Sequence, residues 1–99
     1  MQQNEFIDAL GQDGFEAAVT VSREPDGFID VHVHPFEARA LVIAGGLRIR
    51  AGDTERDYAV GDIFHLQANE SHSERYGPDG VTYLVGRKQG ADAARLFLS

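Results

Sequence analysis

The chain has no cysteine, which excludes disulfides, thiolate metal ligands and a cysteine nucleophile. It is poor in basic residues, with nine Lys and Arg against sixteen Asp and Glu and a formal charge of -7. Those nine are scattered along the chain. Phosphate binding needs a concentrated positive patch, so nucleic acid is excluded as a partner. Long apolar runs are missing too, and Met1 opens a polar segment, "MQQNEF", rather than a basic and then apolar signal. The expectation is a cytoplasmic protein with no membrane partner. Ninety-nine residues bury one modest core, so positions 1–99 read as a single domain in which any site is enclosed by that core.

What is abundant is turn chemistry. "EPDG" at 24–27, "AGG" at 44–46, "AGD" at 51–53, "VGD" at 60–62, "QANES" at 67–71 and "YGPDG" at 76–80 recur at short intervals. Between them lie runs rich in Val, Ile, Leu, Phe and Tyr, notably "FIDVHV", "ALVI", "DIFHL" and "VTYLVG". This pattern predicts an all-β domain of about eight antiparallel strands over roughly 15–87, as a sandwich or barrel. "NEFIDALG" predicts a short N-terminal helix, with Asn4 as N-cap and Gly11 as terminator. "ADAARLFLS" reads as either a second short helix or an ordered tail.

The stretch "DVHVHPFEARALVIAGG" places His32 and His34 two apart in an alternating run. Residues two apart on a strand point to the same face, so both imidazoles project together while Val31 and Val33 project oppositely. Histidine is the commonest metal ligand, but an HxH pair alone is weak evidence. A second stretch, "GDIFHLQANESHSERYG", brings His72 close behind a strand start. With both stretches in view, the chain resembles the cupin superfamily. The first cupin motif falls on Gly27, with a gap one residue short, then His32 and His34, closing at Gly45 or Gly46. The second falls on Gly61 and His72, with Gln67 where proline is usual, Asn69 where glycine is usual and Tyr76 where asparagine is usual. Asn69 still suits a turn, because Asn tolerates positive φ.

The resemblance implies a small RmlC-like jelly roll, an antiparallel β-barrel or double-stranded β-helix with a metal held inside one end. His32 and His34 would bind it from one strand and His72 from its neighbour. The cofactor implied is a divalent transition metal: iron, manganese, nickel or zinc. Cupins supply the fourth ligand from a glutamate in the first motif, and here those positions are Ala38 and Arg39. Glu37 is one residue early, and alternation turns it away unless a bulge at Pro35 and Phe36 rotates it inward. Glu74 shares a face with His72, as does Tyr76, and either completes the ligand set or stands at the rim paired with Arg75, Arg87 or water. A bare three-histidine site, open to water or substrate, is the third alternative. His65 lies between Phe64 and Leu66, so it is expected to face away from the metal.

Alternation from His34 places Ala38, Ala40 and Val42 inward, and Arg39, Leu41 and Ile43 outward. Small inward side chains leave room for a small organic ligand. Phe36, Ala38, Ala40, Tyr76 and Tyr83 are the candidate pocket walls, with Arg87 as a candidate anchor for an anionic group. Leu41 and Ile43 on the outer face need cover, for which a homodimer is the expectation. Two functional readings stand: a metal-dependent enzyme of dioxygenase or isomerase type acting on a small molecule, and a non-catalytic ligand-binding or sensor cupin. Serine-hydrolase chemistry is not indicated, since Ser71 and His72 are adjacent and face opposite sides. No carboxylate pair has the spacing that glycoside cleavage requires.

Overall fold

A computed structural model describes residues 1–89 of the chain. The segment at 91–99, read from sequence as helix or tail, lies outside the described residues. One helix, α1 (Gln3–Gln12), precedes six strands: β1 (Val19–Arg23), β2 (Phe28–His32), β3 (Phe36–Ala51), β4 (Thr54–Ala59), β5 (Ile63–Leu66) and β6 (His72–Gln89). All pairings are antiparallel. No helix among the described residues is long and apolar enough to cross a membrane.

The difference between six strands and the expected eight lies in β3 and β6, which are long and bent, so each serves two layers. Their first and second halves pair with different neighbours. One layer runs β1, the second half of β6, the first half of β3, then β5; the other runs β2, the first half of β6, the second half of β3, then β4. The bend falls where the β3–β6 register shifts, between Val42 and Ala44 and between Gly45 and Leu47. Gly45 and Gly80 meet there, both at positive φ, and a Cβ on Gly45 would come within 2.1 Å of the Gly80 carbonyl oxygen. Only glycine allows that approach. The pairing path ends at edges and does not close, so the architecture is a folded-over open sheet rather than the hydrogen-bonded barrel expected from sequence.

Between the two layers lies one core: Ala38, Ala40 and Val42 of β3, Leu47 and Ile49 beyond its bend, Phe64 and Leu66 of β5, and Tyr76, Val81, Tyr83 and Val85 of β6. The inward placement of Ala38, Ala40 and Val42 agrees with alternation. The opposite face of the first layer carries Leu41 and Leu84, and α1 covers it with Phe6 and Leu10, joined by Phe15. Leu41 is only 2% exposed. The cover that the sequence reading assigned to a second copy is thus supplied by the chain's own helix. Each large apolar side chain so buried contributes about 1.5–3 kcal/mol, enough to hold a helix too short to be stable alone. The helix is capped differently from expectation. Gln2 occupies the N-cap without a side-chain bond, Asn4 lies inside the first turn, and the chain leaves the helix at Asp13 with Gly14 at φ 83°. Gly11 remains helical because the left-handed position that needs glycine falls three residues later.

Candidate metal centre

β2 is short, and its register against β6 changes between Ile29, which faces Glu74, and His32, which faces His72. Three residues on β2 therefore span two on β6, a bulge at Asp30 and Val31. Strict alternation from Ile29 would turn His32 outward; the extra residue resets the phase so that both point into the core. The bulge also frees the Asp30 carbonyl, which accepts a hydrogen bond from His32 Nδ1 at 2.8 Å. A carbonyl only accepts, so Nδ1 carries a proton and Nε2 is the ring nitrogen left to face a metal.

His72 is fixed in the same way from the other side. Its Nδ1 donates to the Glu70 carbonyl at 2.9 Å, leaving Nε2 free. Glu70 belongs to the turn after β5, where its own carboxylate accepts from the Gln67 backbone N–H at 2.8 Å. In that turn Asn69 adopts φ 63° and donates its N–H to the His34 carbonyl at 2.7 Å. Asparagine thus takes the left-handed position where the cupin motif has glycine, and ties the two histidine-bearing segments together. His34 lies just past the end of β2, its ring stacked on Phe36 at 4.8 Å between centroids.

His32, His34 and His72 each offer a ring nitrogen, and the three atoms lie within 4.8 Å of one another. Three imidazole nitrogens bound tetrahedrally at ~2.0–2.1 Å are about 3.4 Å apart, so small side-chain rotations bring this triad onto one ion. Neutral donors, freed Nε2 atoms and backbone bonds that set ring orientation fit a divalent transition metal. The His34 imidazole is held below its usual pKa, first by burial and then by His32, His72, Arg87 and Arg23, which keeps it neutral and available as a donor.

The two acidic candidates separate cleanly. Glu37 faces away from the triad and pairs with His65 on the outer surface, so the bulge once considered at Pro35 and Phe36 does not turn it inward. The bulge lies before His32 instead. His65 is excluded from the core, as its neighbours Phe64 and Leu66 required. Glu74 is 7% exposed, with Oε2 3.9 Å from His32 Nε2. Its side-chain hydrogen-bond partner is the Tyr76 hydroxyl, a long donor at 3.4 Å. Burial and then the Glu74 carboxylate push the Tyr76 and Tyr83 phenols upward, so both remain protonated. Tyr76 itself packs on Gly27, where a Cβ would come within 2.9 Å of the tyrosine ring, which gives the first glycine of the motif its steric role.

The triad opens into a cavity of about 240 Å³ between the layers, lined among others by Phe36, Ala38, Tyr83 and Arg87 from the expected set. Ala40 is fully buried behind this wall, and Tyr76 meets the cavity only through its bond to Glu74, so neither is a wall residue. Ile29, Phe64, Leu66, Val85 and Arg23 complete the lining and were not anticipated. For Arg23 the signal was present in "VTVSR": Val21 packs into the core, so alternation carries Arg23 to the same face.

No family model matches the chain, and no curated protein does. Solved structures do. The cupin domain of Schizosaccharomyces pombe Cnp3 aligns at TM-score 0.69 and 12% identity, over 85% of this chain and 59% of that one. An RmlC-like cupin from Shewanella frigidimarina aligns at TM-score 0.64 and 17% identity, over 77% and 68%. Oxalate decarboxylase from Lactobacillus farciminis, as a formate complex, aligns at TM-score 0.65 and 25% identity over 76% of this chain, which spans only 24% of that enzyme. At such identities the likeness is one of fold. A bent two-layer antiparallel sheet is what that likeness rests on, and the chain is a small protein of the cupin fold.

Proposed function

We propose that the protein is a metal-dependent enzyme of the dioxygenase or isomerase kind, acting on a small organic molecule bound in the cavity between the layers. The observation that carries this reading is the convergence of three histidine nitrogens, two of them freed by backbone carbonyls, at the wall of that cavity. His32, His34 and His72 would hold the ion, and Glu74 would supply the negative charge that cupins draw from the first motif. An ion held there would supply Lewis-acid polarisation of a substrate oxygen, or redox chemistry if it were iron or manganese.

The remaining work belongs to the chain. The Asp30 and Glu70 carbonyls orient two of the rings, so that little reorganisation accompanies binding. Phe36, Phe64 and Leu66 give the cavity apolar walls that exclude water from one side of the ligand. Glu74, as a buried carboxylate with one weak hydrogen bond, is poorly compensated unless a cation stands nearby.

The test is elemental analysis of protein purified without a histidine tag or chelator, beside the His32→Ala, His72→Ala variant. About one transition-metal ion per chain, lost in the folded variant, is the expected result. Stoichiometric metal retained by the variant, or none taken up by the wild type on reconstitution, overturns the assignment. Oxygen uptake during a screen of small substrates then separates dioxygenase from isomerase chemistry.

A further inference from the structure

The cavity's charge runs against that of the chain. The protein carries a net -7, yet two of its nine basic residues, Arg23 and Arg87, line the cavity that holds the histidines, against a single carboxylate, Glu74. Strand alternation puts them there. On β6 the inner stripe runs Val81, Tyr83, Val85 and then Arg87, and on β1 Val21 and Arg23 share the inner face. β1 pairs with β6 so that Arg23 stands opposite Val81, at the other end of that stripe from Arg87. The two arginines thus stand at opposite ends of the stripe along the backbone, and both line the cavity.

Among the described residues neither group is paired to an acid, and Arg23 shares a hydrogen bond with the Tyr83 phenol. Outside the cavity, Arg39 and Arg48 are held by Asp13 and Asp57. Among the described residues, no carboxylate lies within ion-pairing distance of Arg23 or Arg87. Arg87 Cζ lies over the Phe36 ring at 5.2 Å, a contact that consumes none of its N–H donors.

Building on the reading of this cavity as the functional site, we infer that its ligand is a small organic acid, with carboxylate groups held by Arg23 at one end and Arg87 at the other and its middle beside the histidine triad. The planar fork of each guanidinium matches a carboxylate in a way a point charge does not. The roughly 240 Å³ of space limits the ligand to a few carbons between the acid groups. A neutral isostere offers the two guanidinium groups no opposite charge, so the site discriminates by charge as well as by size.

The inference is tested by calorimetric titration of succinate and malonate, against succinamide and malonamide, into metal-free protein and into protein reconstituted with zinc. The acids are expected to bind at least about tenfold more tightly than their amides, and Arg23→Gln and Arg87→Gln each to lose about tenfold or more. Arg48→Gln, on the outer face, is expected to bind as the wild type does. Because Arg23 adjoins the bend at Gly80, Arg23→Lys and Arg87→Lys serve as fold-preserving checks that recover part of the affinity. Amides that bind as tightly as acids, or a double glutamine variant that binds acids normally, overturn the inference. An effect at only one arginine overturns the two-ended clamp. Arginine-dependent acid binding by a protein that takes up no metal would sustain this inference while removing the metal reading; metal uptake without acid binding would do the reverse.

Discussion

Replacing Glu74 by glutamine changes one charge and almost no volume, which makes it the sharpest probe of the site. Glu74 Oε2 lies 3.9 Å from His32 Nε2. An ion bound to that nitrogen at ~2.1 Å can be no farther than about 6 Å from the carboxylate oxygen, whatever its direction. A single negative charge and a divalent cation at about 6 Å interact by ~1.4 kcal/mol even at the dielectric constant of water, and by more in a partly buried site. Glu74→Gln should therefore weaken metal affinity by at least about tenfold. The same substitution relieves the metal-free protein of a carboxylate that is 7% exposed and weakly hydrogen-bonded, so the urea midpoint without metal should hold or rise. Titration of zinc or manganese against a competing chelator, with urea unfolding of both metal-free proteins, measures the two quantities. Affinity within twofold of wild type would refute the electrostatic role of Glu74. A lower metal-free midpoint would make its role structural.

Leu41→Asp places a carboxylate beneath α1, in the apolar cluster of Phe6 and Leu10. A loss of several kcal/mol is expected, on the order of 3 or more, read as a lower urea midpoint. An unchanged midpoint with altered light scattering would instead return this face to an interface between copies. The His34 shift gives a pH signature. Its folded pKa lies below the ordinary 6.5, so from about that pH downward the unfolded chain binds a proton that the folded one resists. Stability of metal-free protein should be insensitive to this group above pH 6.5 and fall as pH drops through that window. His34→Gln should flatten the decline, and the difference between the two melting profiles from pH 7.5 to 5 isolates the effect. Identical profiles would show that the ring is not held neutral by its surroundings.

Much of this was local and therefore readable. Alternation at 38–43 fixed which side chains face the core, since period-two geometry needs no knowledge of partners. The isolation of His65 followed from its apolar neighbours for the same reason, and Asn69 at positive φ followed from its residue type. The three histidines were visible as a spacing and as a resemblance. What spacing could not supply was phase. The bulge at Asp30 and Val31 is defined by the register of β2 against β6, more than forty residues away in sequence, and it sets both the direction of His32 and the carbonyl that orients its ring.

The placement of the two glutamates is the same kind of long-range fact: Glu37 meets His65 on β5, while Glu74 lies beside His32 because β2 and β6 are neighbours. Cover for Leu41 depended on where α1 docks, which amphipathic pattern alone leaves open between the chain's own helix and a second copy. The sequence by itself determined the strand-rich architecture, the inward stripe and the spacing of the three candidate histidines, all of which are encoded within a few residues. Tertiary structure alone decided the open sheet, the carboxylate that lies beside His32 and the approach of Arg23 and Arg87 to one cavity, because each depends on pairing between strands far apart along the chain.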